Sequence, residues 1–394
     1  MYYCLSLDVA KGKSMACMTS RDGEILLKPK EYRHRESELE QLYRLAESIG
    51  DDYTVFMEAT GIYHLQPERF FRKKGKEVIV ANALLISMGK STLRKTKTDK
   101  TDSEMLGLAY FNGNYSISRQ TVSLQAQSRL VESISEQRQR CKVSLKMKGQ
   151  ICYPALEETF RGQRLYGPAI LQFTARFPHP DLVRKSKIEK IEQALNCGIR
   201  KGCGKHVYTA QKIIKTAEID LFPGVDMTSE ECHAFSHYAK ELIRLNEEAE
   251  RETVRLTELA EGIFPYEVRK TFEGIGDLIA AYLTAELGDI TRFEDEKKLI
   301  AFCGLDPTII QSGKSINYHG PISKRGDAHA RMHLYQAIMM IMRNDGLTKN
   351  ESDITSYYKK KRSEGKHHYA AVIACTTKLL RKMFYRCRDM KSSS

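Results

Sequence analysis

Apolar and polar positions along the first hundred residues fall into short alternating blocks. Runs at 2–9, 14–20 and 25–32 read as strands, the last two separated by Arg21-Asp22-Gly23-Glu24. An Asp-Gly pair between apolar runs is a strong hairpin signal. Leu39, Leu42, Leu45, Ala46 and Ile49 then share one helical stripe. A strand at 53–58, a helix at 63–74, a strand at 77–81 and a helix from about 102 complete the segment. The order βββαβαβα predicts a mixed sheet, an antiparallel hairpin continued by parallel strands.

Beyond it the pattern turns helical. Residues 122–160 read as a long polar helix with a basic stretch, Arg138 to Lys148, that holds no acid. Gly and Pro punctuate 161–180, and a basic helical region runs to about 217. Phe235, Tyr238, Leu242, Leu245, Ala249, Leu256, Leu259 and Ile263 follow steps of 3 and 4, the coiled-coil template, until Pro265 ends it. A helical hairpin within the chain and a dimer seam both fit that pattern. The remainder predicts a mostly helical unit. In it FEGIGDLIAAYLTAELGD (272–289) places a Gly-x-Gly turn before an apolar helix, as in helix-hairpin-helix modules. A Gly- and Ser-rich loop then runs into a helix (302–338). The expected domains are 1–125, 126–264 and 265–394.

Charge changes the picture. The net charge is +13, and it is segregated. Residues 356–391 hold eleven Lys or Arg against two acids and 184–215 nine against two, whereas 218–297 hold twenty acids against eight bases. Nucleic acid is the expected partner. Ten cysteines form no C-x-x-C pair. The spacing of Cys197, Cys203 and His206 suits zinc poorly, so reduced cytoplasmic thiols are expected. No run of eighteen apolar residues and no cleavable leader is seen, which argues against membrane insertion and secretion.

Four acids stand out: Asp8 and Glu58, each inside or ending an apolar strand, and Asp99 and Asp102 in TKTDKTDSEML (96–106). A carboxylate in an apolar strand is costly to bury unless a cation or hydrogen bonds offset the lost hydration. Oxygen donors of this kind suit magnesium. Lys90, Arg94, Lys95 and Lys97 precede the aspartate pair, as expected if phosphates approach the same metals. The bland alternative is that all four are caps or solvated surface acids. Ser312 keeps company with Gly313, Lys314, Tyr318, His319, Lys324 and Arg325. A serine hydroxyl becomes a useful nucleophile once a base, metal or cationic pocket activates it. Ser315 and Ser323 are rivals for that role, and a phosphate-binding loop without covalent chemistry is the plainer reading.

LDVAK (7–11), MEATGIY (57–63), KTDKTDSEMLGL (97–108), GIGDLIAAYLTAELGDITRF (274–293), FCGLDP (302–307) and SGKSINYHGPISKRGDAHAR (312–331) carry a family likeness. In that order they resemble the DEDD-type transposases of the insertion-sequence one-ten family, over nearly the whole chain. The resemblance implies an α/β RNase H-like (RuvC-like) N-terminal domain, then a helical coiled-coil region and a mostly α C-terminal transposase domain. It implies that Asp8, Glu58, Asp99 and Asp102 hold Mg2+, and that Ser312 forms a covalent link to a DNA phosphate with another subunit's tetrad. It further implies donor and target DNA paired by a structured noncoding guide RNA, and homodimers that assemble into tetramers. Arg138, Arg140, Lys142, Lys314, Lys324 and Arg325 join the lysines and arginine before Asp99 as expected nucleic-acid contacts. One position departs: where the family often has a second serine, this chain has Gln311. A RuvC-like junction-resolving nuclease without serine chemistry is the main rival reading, and a non-catalytic RNA-binding protein the second.

Overall fold

A computed structural model describes residues 2–58, 62–81, 99–113, 122–160, 162–196, 209–219, 221–312 and 316–392. The chain divides into two compact units, residues 1–120 and 121–394.

The first unit is built on β1 (Tyr3–Ala10), β2 (Lys13–Ser20), β3 (Ile25–Arg33), α1 (Glu36–Ile49), β4 (Tyr53–Glu58), α2 (Leu65–Lys73), β5 (Val78–Ala81) and α3 (Asp99–Phe111). These follow the expected order. The five strands make one sheet, β3-β2-β1-β4-β5, in which β1–β2 and β2–β3 are antiparallel and β1–β4 and β4–β5 parallel. Gly23, at φ +87°, supplies the left-handed residue of the β2–β3 turn, which explains why Asp-Gly marked it. Side chains alternate across the sheet. Leu5, Leu7, Val9, Val55 and Met57 pack with Leu42 and Ala46 of α1 and Phe71 of α2. Cys4, Phe56 and Ala81 meet Leu106 of α3 on the opposite face.

The second unit is mostly helical. Its spine is α4 (Val122–Cys152) with α10 (Glu230–Ala260), each 31 residues and therefore about 46 Å long. Between them in sequence come α5 (Pro154–Thr159), α6 (Pro168–Arg176), α7 (Pro180–Arg184), α8 (Ile188–Asn196) and α9 (Ala210–Glu218). Gln127 bonds Glu252, Cys141 the Tyr238 carbonyl and Lys148 Glu231, so α4 and α10 run antiparallel. The heptad stripe is thus covered by α4 of the same chain. Its buried set is Phe235, Ala239, Leu242, Leu245, Ala249, Leu256 and Ala260. Leu259 is 42% exposed, whereas Ala260 is buried in the core shared with the elements that follow.

The rest of the unit comprises α11 (Phe264–Lys270), α12 (Asp277–Leu287), α13 (Glu296–Phe302), β6 (Pro307–Ser312), β7 (Ile316–Ile322), α14 (Ala328–Thr348), α15 (Asp353–Ser363) and α16 (His368–Ser392). The segment expected as a Gly- and Ser-rich loop contains an antiparallel hairpin, β6–β7. Thr308-Ile309-Ile310 and Ile316 give it β-branched positions. Its Gly, Ser and Pro content had masked them. Among the described residues no helix is long and apolar enough to cross a membrane.

Candidate functional site

Strand register places two of the four acids. The last parallel pair of β1 and β4 is Leu7 with Met57, so Asp8 and Glu58 follow at the same level on adjacent strands. Neighbouring strands lie about 4.8 Å apart. Both carboxylates are half-buried and point to the α3 face, since their neighbours Leu7 and Met57 point to the other core. Helix α3 lies across that face. The Ser6 hydroxyl donates to the Ser103 carbonyl at 2.7 Å, and the Tyr110 hydroxyl to Thr54 Oγ1 at 2.9 Å. Ser103 sits beside the middle of β1 and Tyr110 beside the start of β4. The first turn of α3, with Asp99 and Asp102, is therefore directed toward the strand ends that carry Asp8 and Glu58.

Asp99 and Asp102 stand three residues apart at the start of α3. Asp102 is half-buried; the Asp99 side chain lies outside the described residues. Among the described residues no group of three or more His, Cys, Asp or Glu is gathered tightly enough to hold a metal ion. Lys90, Arg94, Lys95 and Lys97 lie outside the described residues, as do Cys197, Cys203 and His206. Two thiols line the same side of the sheet. Burial pushes Cys4 far above the ordinary thiol range, and burial with the nearby Glu104 carboxylate pushes Cys17 up to about 11. Neither supplies a thiolate nucleophile near neutrality.

In the second unit Ser312 is the last residue of β6, paired with Ile316 across the tip of the hairpin. Its side chain, like Gly313, Lys314 and Ser315, lies outside the described residues. The base of the hairpin is a clasp between FCGLDP and ISKRGDAHAR. Ser323 donates from its amide to the Asp306 carbonyl at 2.8 Å and from its hydroxyl to the Asp306 carboxylate at 2.7 Å. Arg331 donates to the carbonyls of Cys303 and Gly326 at 2.9 and 3.0 Å. A Cβ on Gly326 would come within 2.2 Å of the Phe302 carbonyl oxygen, so only glycine fits. Lys324 is exposed and held at φ +56°, uncommon for a residue with a side chain, beside the equally exposed Arg325. Two charges thus stand out from a rigid turn.

The basic stretch of α4 is divided. Arg138 donates to Asn246, Lys148 pairs with Glu231, and Lys142 covers the Tyr166 ring, its pKa lowered by burial and then by Arg138. Arg140 points outward with 81% of its side chain exposed.

One cluster had no sequence signal. Glu132 of α4 accepts from His329 and His333 of α14 at 2.7 and 2.5 Å and pairs with Arg129, which bridges to the fully buried Glu286 of α12. Tyr282 stacks on His333 at 4.1 Å, and burial followed by the Glu132 carboxylate pushes its hydroxyl up to about 12. The cluster fixes the start of α14, directly after the hairpin. Its members lie up to 201 positions apart, so no local motif announces it.

Comparison with known proteins gives two family matches. Residues 267–353 match the family described as "Transposase IS116/IS110/IS902 family", and residues 5–150 match the DEDD model of the IS110 type, described as "Transposase". The chain is 26% identical over 247 residues to the insertion element IS116 uncharacterized 44.8 kDa protein of Streptomyces clavuligerus, covering 61% of this chain and 57% of that protein. It is 24% identical over 245 residues to the insertion element IS110 uncharacterized 43.6 kDa protein of Streptomyces coelicolor, covering 60% and 56%. To the insertion element IS900 uncharacterized 42 kDa protein of Mycobacterium paratuberculosis it is 26% identical over 175 residues, covering 44% and 41%. The chain thus spans little more than half the length of the first two relatives.

Proposed function

Because the chain belongs to the IS116/IS110/IS902 transposase family, we propose that it cleaves and rejoins DNA strands to move an insertion sequence. The observation that carries this reading is the placement of Asp8 and Glu58 side by side, under the first turn of the helix that bears Asp99 and Asp102. All four are oxygen donors, the set that a hard divalent cation prefers, so their chemistry suits Mg2+; Asp8, Glu58 and Asp102 would have to draw closer than they stand here to hold it. A bound magnesium would neutralise phosphate charge and orient the attacking and leaving oxygens.

Ser312, at the tip of a hairpin with a clasped base, is the proposed nucleophile. Its oxygen forms a bond to phosphorus as the bond from phosphorus to a sugar oxygen breaks. The serine proton passes to a base, and the departing sugar oxygen takes one up. The phosphodiester energy is kept in the serine ester, so a second strand can reverse the step without ATP. Lys324 and Arg325 stand at the clasp, where they would meet the entering backbone. In this reading the protein acts as a homodimer that pairs into tetramers in the cytoplasm. Its DNA targets are chosen by a structured noncoding guide RNA, and the basic tracts hold nucleic-acid backbones without reading sequence.

Asp8→Asn and Asp102→Asn, each tested for Mg2+ binding by calorimetry and for strand exchange on a donor–target pair, check the metal assignment. Both variants are expected to keep the far-UV spectrum and lose metal binding and exchange together. Full exchange by either variant would remove that residue from the site.

A further inference from the structure

The elbow between α15 and α16 carries a feature that the strand-exchange chemistry does not use. Tyr369, the second residue of α16, is 63% exposed. Its ring lies 5.7 Å from that of His367 and 6.3 Å from that of Tyr335 on α14, each at an interplanar angle of 30°. Met332 and Met339, 39% and 36% exposed, stand three and four residues from Tyr335 and extend the same face along α14. Beneath this strip the elbow is braced: Tyr358 and His368 share a hydrogen bond of 2.8 Å, and their rings meet edge to face. Contiguous exposed apolar and aromatic surface of this kind is what interaction sites present.

The surrounding charge names the occupant. Between Tyr358 and Tyr369 stand five Lys or Arg, from Lys359 to Lys366, and one acid, Glu364. That acid is engaged by Lys361 at 2.8 Å, while Lys360 and Lys366 are exposed. Flat rings beside a cationic ridge form the surface that single-stranded nucleic acid takes, bases on the rings and phosphates on the ridge. A second copy of this chain would bring the same positive ridge against itself.

We propose that the α14–α16 face, centred on Tyr369, is a stacking platform for unpaired nucleobases. It rests on the reading that the chain handles nucleic acid but not on any catalytic step. Binding of the full chain to labelled oligothymidylate, oligouridylate, a matched duplex and an abasic oligonucleotide tests it by fluorescence anisotropy. Tyr369→Ala is expected to weaken single-strand binding about tenfold or more, as the loss of one stacked base requires, and to leave duplex binding within a factor of two. Tyr369→Phe keeps the ring and should bind like the native chain. The abasic strand should bind the native chain at least as weakly as the natural strand binds Tyr369→Ala. Whichever of the thymidylate and uridylate strands binds more tightly identifies DNA or RNA as the source of the bases. Equal loss on single strand and duplex, or none on either, overturns the platform. So does a change of oligomeric mass on Tyr369→Ala with oligonucleotide affinity intact, which would assign the face to a second copy. Failure of strand exchange with these binding differences preserved would instead refute the catalytic reading alone.

Discussion

The seat of α3 on the sheet determines where Asp99 and Asp102 stand, and Gly107 sets how closely that helix approaches. A Cβ at Gly107 would lie 2.4 Å from Thr19 Oγ1 and 3.4 Å from Thr19 Cβ on β2. Thr19 is 2% exposed, and its hydroxyl makes no hydrogen bond among the described residues. Gly107→Ala therefore sets two effects against each other. Alanine gains roughly 1 kcal/mol of helix propensity, whereas overpacking a buried contact costs roughly 1–3 kcal/mol. The net is a loss of about 0–2 kcal/mol in local stability. Thr19→Ala removes the obstructing atoms and strands no hydrogen-bond partner. In that background Gly107→Ala should become stabilising by about 1 kcal/mol. The sign reverses, with a coupling of roughly 1–3 kcal/mol, the size expected for residues in direct contact. Hydrogen exchange over residues 99–111 in the full chain reads this locally, which matters because a chain of two units need not unfold in one step. If Gly107→Ala changes protection equally in both backgrounds, α3 does not pack on Thr19 and the placement of the aspartate pair falls with it.

Two further outcomes follow from the same geometry. Gly274, at φ +81°, precedes α12, and a Cβ there would lie 2.7 Å from the Ile341 Cα; Gly274→Ala should cost roughly 2–4 kcal/mol, seen as a lower unfolding midpoint of the full chain, and a neutral result would mean that the turn is not pressed against α14. Affinity for DNA or RNA should fall steeply with added salt, roughly a thousandfold or more between 50 and 200 mM if six or more phosphates are contacted; a flat profile would make the tracts at 138–148, 184–215 and 356–391 ordinary solvated surface.

Much of the first unit was legible because its strands are short, apolar and punctuated, and because Asp22-Gly23 declared its turn. Asp8 and Glu58 were legible for the same reason: a carboxylate interrupts a run that otherwise faces a core. The heptads from Phe235 announced a seam but not what fills it, since periodicity describes one helix and not its neighbour. Burial on this helix also takes in Ala239 and Ala260, which the 3-4 stripe does not name, because elements other than α4 pack on the helix as well. The β6–β7 hairpin was hidden by composition. Among the described residues its two strands pair only with each other, so neither carries the long apolar pattern of a central strand. Glu132, His329 and His333 were invisible for a different reason. Each is an ordinary helical surface residue by local pattern, and only the packing of α4 on α14 joins them.

The strand exchange proposed above passes through a covalent serine ester at the tip of the β6–β7 hairpin. Its most direct test is to trap the protein on a nicked labelled substrate, denature the mixture and look for protein-linked DNA, with native chain, Ser312→Ala and Ser315→Ala side by side. Native chain and Ser315→Ala should give the slow-migrating adduct. Ser312→Ala should give none, and should still bind the same substrate. An adduct on Ser312→Ala, or cutting by Ser312→Ala with no adduct from any of the three proteins, would contradict the claim and favour another nucleophile or a metal-activated water.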